Sequence, residues 1–257
     1  MACGRAFDDA LAMARDHDGL GVGVHLTLTE LPALSRPGDI PGLVNEEGLL
    51  PSSPGVLLKL LLRGKVGAPI LIQELSRQVE RVLDSGITPT HLDSHKHVHV
   101  LPHVLEAVLE VARRYSIRCL RSPFDRTSLG QLIPVVAKED RLRLGEQHLK
   151  ARLLNAFEPY FSRRVRRAGL RTPEHFHGVS LTGIWSEAAV ERLLSGLPPG
   201  VSEWMLHPGD CDEELCGMGT RLREQRQKER DLLLSPAMGD LFRKYHVVVK
   251  SYGGVAE

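Results

Sequence analysis

The sequence predicts an α/β fold with a largely parallel sheet or barrel. Amphipathic helical patterns alternate with short apolar strand patterns, as in repeated βα units. Polar side chains stand at the ends of several predicted strands, where parallel α/β folds collect their chemistry. The 257 residues contain no linker rich in proline, glycine or serine, so we predict one domain over residues 1–257.

Composition excludes several classes of function. The net charge is +1 with both signs mixed along the chain, which argues against a nucleic-acid or membrane-surface partner. The apolar run 56–62 is interrupted by Lys59 and is shorter than the ~20 residues of a membrane span. Four cysteines without zinc-knuckle spacing favour a reduced, cytoplasmic compartment. A homodimer is the default expectation for such a protein.

The first third of the chain supplies the first helices and strand. Apolar residues at helical spacing cover 7–16 and 70–83, and Ser85-Gly86 favours an end to the second helix. The short apolar run 20–26 favours a strand. The segment 30–54 carries glycine and proline and is predicted to be a long functional loop.

The remainder continues the alternation. Pro102 is predicted to open a helix through Arg114, because a missing N–H costs nothing in the first turn. Short apolar, β-branched runs predict strands, and longer amphipathic runs predict helices. The predicted strands are 116–120, 201–206 and 245–250, and the predicted helical regions are 145–168, 186–194 and 221–234.

A histidine-rich segment at 90–99, T-H-L-D-S-H-K-H-V-H, is the most informative part of the chain. An extended strand would send every second residue to one face. That face would carry a set of metal ligands with a carboxylate that ligates or fixes a histidine tautomer. The alternative is a polar strand end with solvated histidines. The predicted face comprises His91, Asp93, His95, His97 and, at its end, His99.

Three further residues end predicted strands. His25 alone would suit a hydrogen-bonded core position, but beside the histidine-rich segment it is a candidate ligand, because a catalytic metal needs about three protein ligands. His207, before Pro208-Gly209, could donate a proton to a leaving amine or merely stabilise a turn. Arg121 could orient a carboxylate or stabilise developing negative charge. Glu30 is predicted to be solvated, with a role in a lid left open.

Together these motifs resemble the YdjC-like carbohydrate deacetylases, which include chitooligosaccharide and hopanoid-associated deacetylases. The matching segments, in the family's order, are A-F-D-D-A-L at 6–11, G-V-H-L-T-L-T-E at 23–30, P-T-H-L-D-S-H-K-H-V-H at 89–99, L-R-S-P at 120–123, H-F-H-G at 175–178 and H-P-G-D at 207–210. The resemblance implies a distorted (β/α) barrel of the polysaccharide-deacetylase-like type. It also implies removal of an N-acetyl group from an amino sugar.

The resemblance implies roles for individual residues. His25 and His95 would hold one divalent ion, Mg²⁺ as in relatives, although imidazole ligands also suit Zn²⁺. His207 and Arg121 match positions near the catalytic centre. Asp93 is then expected to support the metal ligands, to contact the substrate or to act as a base. His97 is expected to support the metal ligands or to contact the substrate.

One family motif is absent from the sequence. Members of the family begin with a strand that ends in an Asp-Asp-Phe-Gly type motif, and no such segment precedes Met1 here. The first βα unit is therefore expected to be missing from this chain, leaving the domain incomplete at its N-terminus and the activity of this chain open. Two alternatives stay open: a catalytically incomplete carbohydrate- or metal-binding protein, and a metal-dependent hydrolase of another substrate, such as a phosphoesterase.

Overall fold

The computed structural model describes residues 1–217 and 219–255, so Met218, Ala256 and Glu257 of the predicted domain lie outside the described residues. The chain divides into two compact units. The first unit comprises Met1–Arg121, Phe157–Thr172 and Lys250–Glu257. The second unit comprises Ser122–Ala156 and Pro173–Val249.

Helices outnumber strands in both units. The strands are β1 (Gly23–Leu26), β2 (His91–Ser94), β3 (His175–His177) and β4 (Ser202–Trp204). The α-helices are α1 (Phe7–Arg15), α2 (Pro54–Leu62), α3 (Ala68–Asp84), α4 (Pro102–Arg114), α5 (Leu129–Leu132), α6 (Arg141–Asn155), α7 (Glu158–Arg167), α8 (Glu187–Leu194), α9 (Glu213–Gly217), α10 (Glu224–Leu234) and α11 (Pro236–Lys244).

In the first unit, β1 packs against α3, and α3 packs against α4. β1 pairs with β2, and single parallel bridges extend the pairing from Leu92 to Leu120 and from Cys119 to Arg171. The two helices pack on each other, and both carry apolar side chains that are completely buried. Burial of these apolar side chains stabilises the fold by about 25 cal/mol for each Å² of surface removed from water. These side chains are Leu71, Leu75 and Val79 of α3, and Leu105 and Val108 of α4.

The two predicted helices next to the histidine-rich segment are confirmed closely. Pro102 is the first residue of α4, which ends at Arg114 as predicted. α3 ends at Asp84, and Gly86 follows with a φ of 85°, a conformation that glycine adopts without steric cost. These two helices therefore fix the segment 87–101 at both ends.

The histidine-rich segment is a strand only in its first half. β2 ends at Ser94, and His95–Val100 form a 3₁₀ turn. Within that turn Lys96 and His97 have φ values of 52° and 55°, in the left-handed region. The predicted extended face through His99 is therefore wrong beyond Ser94, since alternation of side chains fails where the backbone turns.

In the second unit, β3 and β4 pair in parallel, and a parallel bridge joins Asp125 to Phe176. Its larger apolar core gathers side chains of α5, α6, α8 and α11, among them Leu132, Leu144 and Leu241. β3 and α11 were not predicted. The predicted strand 245–250 is not formed, the predicted strand 116–120 is reduced to bridges at Cys119 and Leu120, and the predicted helix 145–168 is interrupted between α6 and α7.

The predicted α/β class with parallel strand pairing is confirmed. These pairings do not by themselves establish closure into a (β/α) barrel, which stays a prediction. Within residues 1–217 and 219–255, no helix is long and apolar enough to span a bilayer.

Candidate active site

The register of β1 and β2 brings His25 beside Asp93. The two residues are direct partners in the parallel pair. The His25 Nδ1–H donates to Asp93 Oδ2 at 2.8 Å. A carboxylate can only accept here, so the contact fixes His25 in the Nδ1–H tautomer and leaves Nε2 with its lone pair.

Arg121 completes this contact from the neighbouring bridge. Its backbone N–H donates to Leu92 O at 3.0 Å, and its guanidinium donates to Asp93 Oδ2. Burial alone would raise the pKa of Asp93, which is 4% exposed, but the hydrogen bond from His25 and the charge of Arg121 outweigh it. The pKa of Asp93 is therefore held well below its ordinary value, and the side chain remains a carboxylate.

A second carboxylate holds the second candidate ligand. Glu30 Oε2 accepts from His95 Nε2–H at 2.8 Å, and Glu30 Oε1 accepts from Lys96 Nζ. Burial works to raise the pKa of Glu30, and the hydrogen bonds from Lys96 and His95 reverse that effect and lower it. The segments after β1 and after β2 are thus joined by an ionised carboxylate.

His25 and His95 have a shared chemical property. Their ring centroids are 5.9 Å apart at an interplanar angle of 75°. In the described part of the chain, His25 Nε2 and His95 Nδ1 have no hydrogen-bond partner. An imidazole with one nitrogen on a carboxylate and the other open is the usual state of a metal-binding histidine. The donor chemistry therefore fits a divalent ion at these two nitrogens.

Among the described residues, this fit to a divalent ion rests on the imidazoles of His25 and His95. Among the described residues, no three His, Cys, Asp or Glu side chains are arranged to hold a metal ion together. Two side chains of the predicted set, His25 and His95, are partly accessible, at 33% and 25% exposure. These are the residues through which an ion or a substrate would meet this site.

The other histidines of the segment are more enclosed. His99 is completely buried, and its Nε2–H donates to the carbonyl of Arg121 at 3.1 Å while Nδ1 accepts from the Ser94 hydroxyl at 2.6 Å. Burial lowers the pKa of His99 to about 4, so the ring is neutral and serves to hold the backbone at Arg121. Burial also lowers the pKa of His97 well below its ordinary value.

His91 lies over a glycine of the neighbouring strand. Its ring stacks on Tyr252 at 3.7 Å between centroids, and Gly23 is its direct partner in β1. A Cβ atom at residue 23 would lie 2.3 Å from His91 Cε1, a distance that atoms do not reach. Burial lowers the pKa of His91 to about 4. This histidine packs against the strand instead of joining the candidate ligands.

A buried polar bridge on α3 supports the segment that carries Glu30. Gln78 accepts from Thr27 N at 2.8 Å and donates to Thr27 O at 2.7 Å and to Glu74 at 2.8 Å. Glu74 in turn accepts from the backbone N–H groups of Leu34 and Ser35. The start of the long loop is therefore fastened to α3 on both sides of Glu30.

His207 belongs to the second unit. Its backbone N–H donates to Glu229 Oε2 at 2.5 Å, and its Nδ1 lies 4.0 Å from the same oxygen. Glu229 is 2% exposed, and burial raises its pKa although hydrogen bonds from His207 and Gly183 oppose the shift. The turn at His207 is thus held in place by a buried carboxyl group.

The first unit brings five of the six predicted site residues into neighbouring positions, and His207 lies in the other unit. The contacts join His25, Asp93 and Arg121 directly, while His95 and His97 follow β2. Sequence reasoning missed Glu30 and Ser94 as functional side chains. Glu30 ends the motif G-V-H-L-T-L-T-E, four residues after the last residue of β1, and that motif was the signal available.

Comparisons with known proteins identify the family of this chain. A model of the family described as YdjC-like protein matches residues 1–244. A carbohydrate deacetylase of Geobacillus stearothermophilus is 42% identical over 236 residues, covering 91% of this chain and 75% of the relative. A carbohydrate deacetylase of Mus musculus is 29% identical over 216 residues, covering 80% of this chain and 66% of the relative.

A solved structure is similar in fold. It is a crystal structure from Enterococcus faecalis, named for a suggested role in cleaving cellobiose-phosphate, with a TM-score of 0.72 and 21% identity. The match covers 100% of this chain and 86% of that one. The family model matches nearly the whole length of the chain, and the Geobacillus enzyme is 42% identical to it; the chain therefore belongs to the YdjC-like family.

Proposed function

We propose that this chain is a metal-dependent hydrolase that removes an N-acetyl group from an amino sugar or glycoconjugate. The observation that carries the proposal is the pair of imidazoles at His25 and His95. Each ring is hydrogen-bonded to a carboxylate through one nitrogen, and its other nitrogen has no hydrogen-bond partner among the residues that the structure describes. The relatives named carbohydrate deacetylase support the substrate class.

In this proposal His25 and His95 hold one divalent ion. Two imidazoles favour Zn²⁺ by ligand softness, and the family resemblance favours Mg²⁺. When bound, such an ion supplies polarisation of an acyl oxygen and a lowered pKa of water. The protein's own contribution is to present two imidazoles, each oriented by a hydrogen bond to a carboxylate.

The remaining residues have separate roles in this proposal. Asp93 orients His25, and its low pKa suits an acceptor better than a general base, which works best with a pKa near the working pH. Arg121 keeps Asp93 ionised. His97 contacts the substrate. His207, in the second unit, keeps the proton-donor role that the family resemblance implies. The cytoplasmic location and the homodimer also stay proposals. Size-exclusion chromatography would test whether the protein is a dimer.

The test is acetate release from N-acetylglucosamine oligomers with Mg²⁺ or Zn²⁺ added. We expect release by the unchanged chain and its loss in His95→Ala, with no change in the matched variant His103→Ala, because His103 is exposed on α4. Full activity of His95→Ala would contradict the assignment.

A binding protein is the second candidate. It is favoured by the finding that no three ligand-type side chains in the described residues converge on a metal site. Calorimetric binding of the oligomers without acetate release from any N-acetyl sugar would support this candidate against the enzyme.

A further inference from the structure

Glu30 occupies an unusual backbone position for its residue type. Its φ is 69°, in the left-handed region that residues other than glycine rarely adopt. Lys96, its ion-pair partner, is also left-handed, with a φ of 52°. Both ends of one pair therefore sit in disfavoured conformations. Such conformations persist where the surrounding structure holds them, and they concentrate at functional sites.

The backbone around Glu30 is held firmly enough to impose that conformation. The Glu30 N–H donates to Pro51 O at 2.9 Å, and Thr27 is clamped by Gln78 on α3. The carboxylate therefore does not depend on a freely moving loop for its placement. It lies where its two oxygens reach His95 and Lys96, residues 65 and 66 positions further along the chain.

The direction of the hydrogen bond decides the state of His95. An ionised carboxylate only accepts, so His95 Nε2 must carry the proton, and a neutral ring then has its lone pair on Nδ1. Asp93 binds the other nitrogen of His25: it accepts a hydrogen bond from Nδ1–H and leaves Nε2 without a partner in the described part of the chain. The two candidate ligands would thus bind an ion through different nitrogens.

We infer that Glu30 is a positioning residue that fixes His95 in the Nε2–H tautomer and so leaves Nδ1 as its cation-binding nitrogen. The inference rests on the proposed function, because it assigns to His95 the binding of a divalent cation. Lys96 assists Glu30, because its ammonium group offsets the charge of the carboxylate and donates to the oxygen that His95 does not contact. Loss of Glu30 would leave His95 free to exchange tautomers and to rotate.

The first experiment reads the tautomer directly. ¹⁵N-imidazole NMR of the full chain without added metal, at pH 7.5, should show His95 as the Nε2–H form. Glu30→Ala should shift His95 towards a mixture of tautomers, while the control Glu47→Ala, on the same loop and exposed, should leave it unchanged. An Nδ1–H form of His95 in the unchanged chain would overturn the inference.

The second experiment measures Zn²⁺ affinity by calorimetry. Removing the carboxylate partner of a metal-binding histidine typically weakens affinity about 10–100-fold. We expect that loss in Glu30→Ala, a smaller loss in Glu30→Gln, whose amide oxygen still accepts from His95, and none in Glu47→Ala. Circular dichroism and urea unfolding should show that both Glu30 variants remain folded.

The outcomes separate the two proposals. Absence of Zn²⁺ and Mg²⁺ binding in the unchanged chain would contradict the proposed metal-dependent function, while the NMR result would still decide the tautomer of His95. Normal Zn²⁺ binding in Glu30→Ala together with an unchanged tautomer would refute the role of Glu30 and leave the proposed function standing.

Discussion

Asp93 is a single side chain that sets the state of two neighbours. It is nearly inaccessible to solvent, and its Oδ2 accepts from both His25 and Arg121. A buried carboxylate costs free energy unless it is paired and hydrogen-bonded, and here both conditions hold. At the residue scale, the candidate site therefore depends on a buried charge that orients an imidazole.

Asp93→Asn should retain the shape of the side chain and remove its charge. We expect about a 10–100-fold loss of Zn²⁺ affinity, because His25 loses its anionic partner, and a parallel loss of acetate release. Calorimetry and an acetate assay would measure the two effects. Asp39→Asn, at an exposed position, is the matched control, and equal affinities in the two variants would refute the role given to Asp93.

At the scale of elements, α3 links the fold to the site. Its apolar face packs on α4, and its polar residues Glu74 and Gln78, both completely buried, hold the backbone on either side of Glu30. The spacing of four residues places them on one face of the helix, one turn apart. The same helix thus contributes to the core and to the placement of a candidate site residue.

Gln78→Leu should destabilise the first unit. The backbone N–H and C=O of Thr27 would remain buried without their partner, and each unsatisfied group costs about 1–3 kcal/mol. Urea unfolding should show a loss of at least that size in the free energy of unfolding. Arg77→Leu, one residue earlier and exposed, should change it by less than about 0.5 kcal/mol, and similar values for both variants would argue against the bridge.

Helices with clear periodicity could be predicted from sequence, and the end of β2 could not. α3 and α4 follow from apolar spacing and from the residues that begin and end them. The alternation of histidines favours an extended chain, yet the backbone turns after Ser94 because Ser94 Oγ accepts from the His99 backbone N–H and contacts its ring. That closure joins residues five apart and leaves no periodic signal.

For the molecule as a whole, buried neutral histidines set the response to acid. His91 and His99 both have a pKa of about 4, against an ordinary value of 6.5, because of burial. Between these values the unfolded chain binds protons that the folded chain does not, so stability falls as the pH falls through 6.5. At pH 5 each group would cost on the order of 2 kcal/mol. The lowered pKa of Asp93 adds a further loss below the ordinary pKa of an aspartate, about 3.9.

His91→Phe should remove one of these titrations and keep a ring stacked on Tyr252. The free energy of unfolding, measured by urea at several pH values between 4 and 7, should then depend on pH less steeply. The expected change in slope is about one proton, or about 1.4 kcal/mol per pH unit. His103→Gln, at an exposed position, should leave the slope unaltered, and an unaltered slope in His91→Phe would contradict the prediction.

At this scale the candidate site was predictable where it follows strand ends and not where it depends on distant pairing. His25, Asp93 and Arg121 stand at or near the ends of predicted strands, so the general rule for parallel sheets found them. The contact of Glu30 with His95 joins positions 65 residues apart, through a left-handed backbone that the residue type does not indicate. Such a contact is set by the folded chain, and local sequence carries no pattern for it.

The close approach of Gly23 to His91 has a consequence for how this chain can change over generations. Alanine at residue 23 has no room while the imidazole lies against it, but a smaller side chain at residue 91 opens that space. Exchange of His91 before Gly23 therefore avoids this clash. In the reverse order the His91 ring must first move away from residue 23 and from its stack on Tyr252.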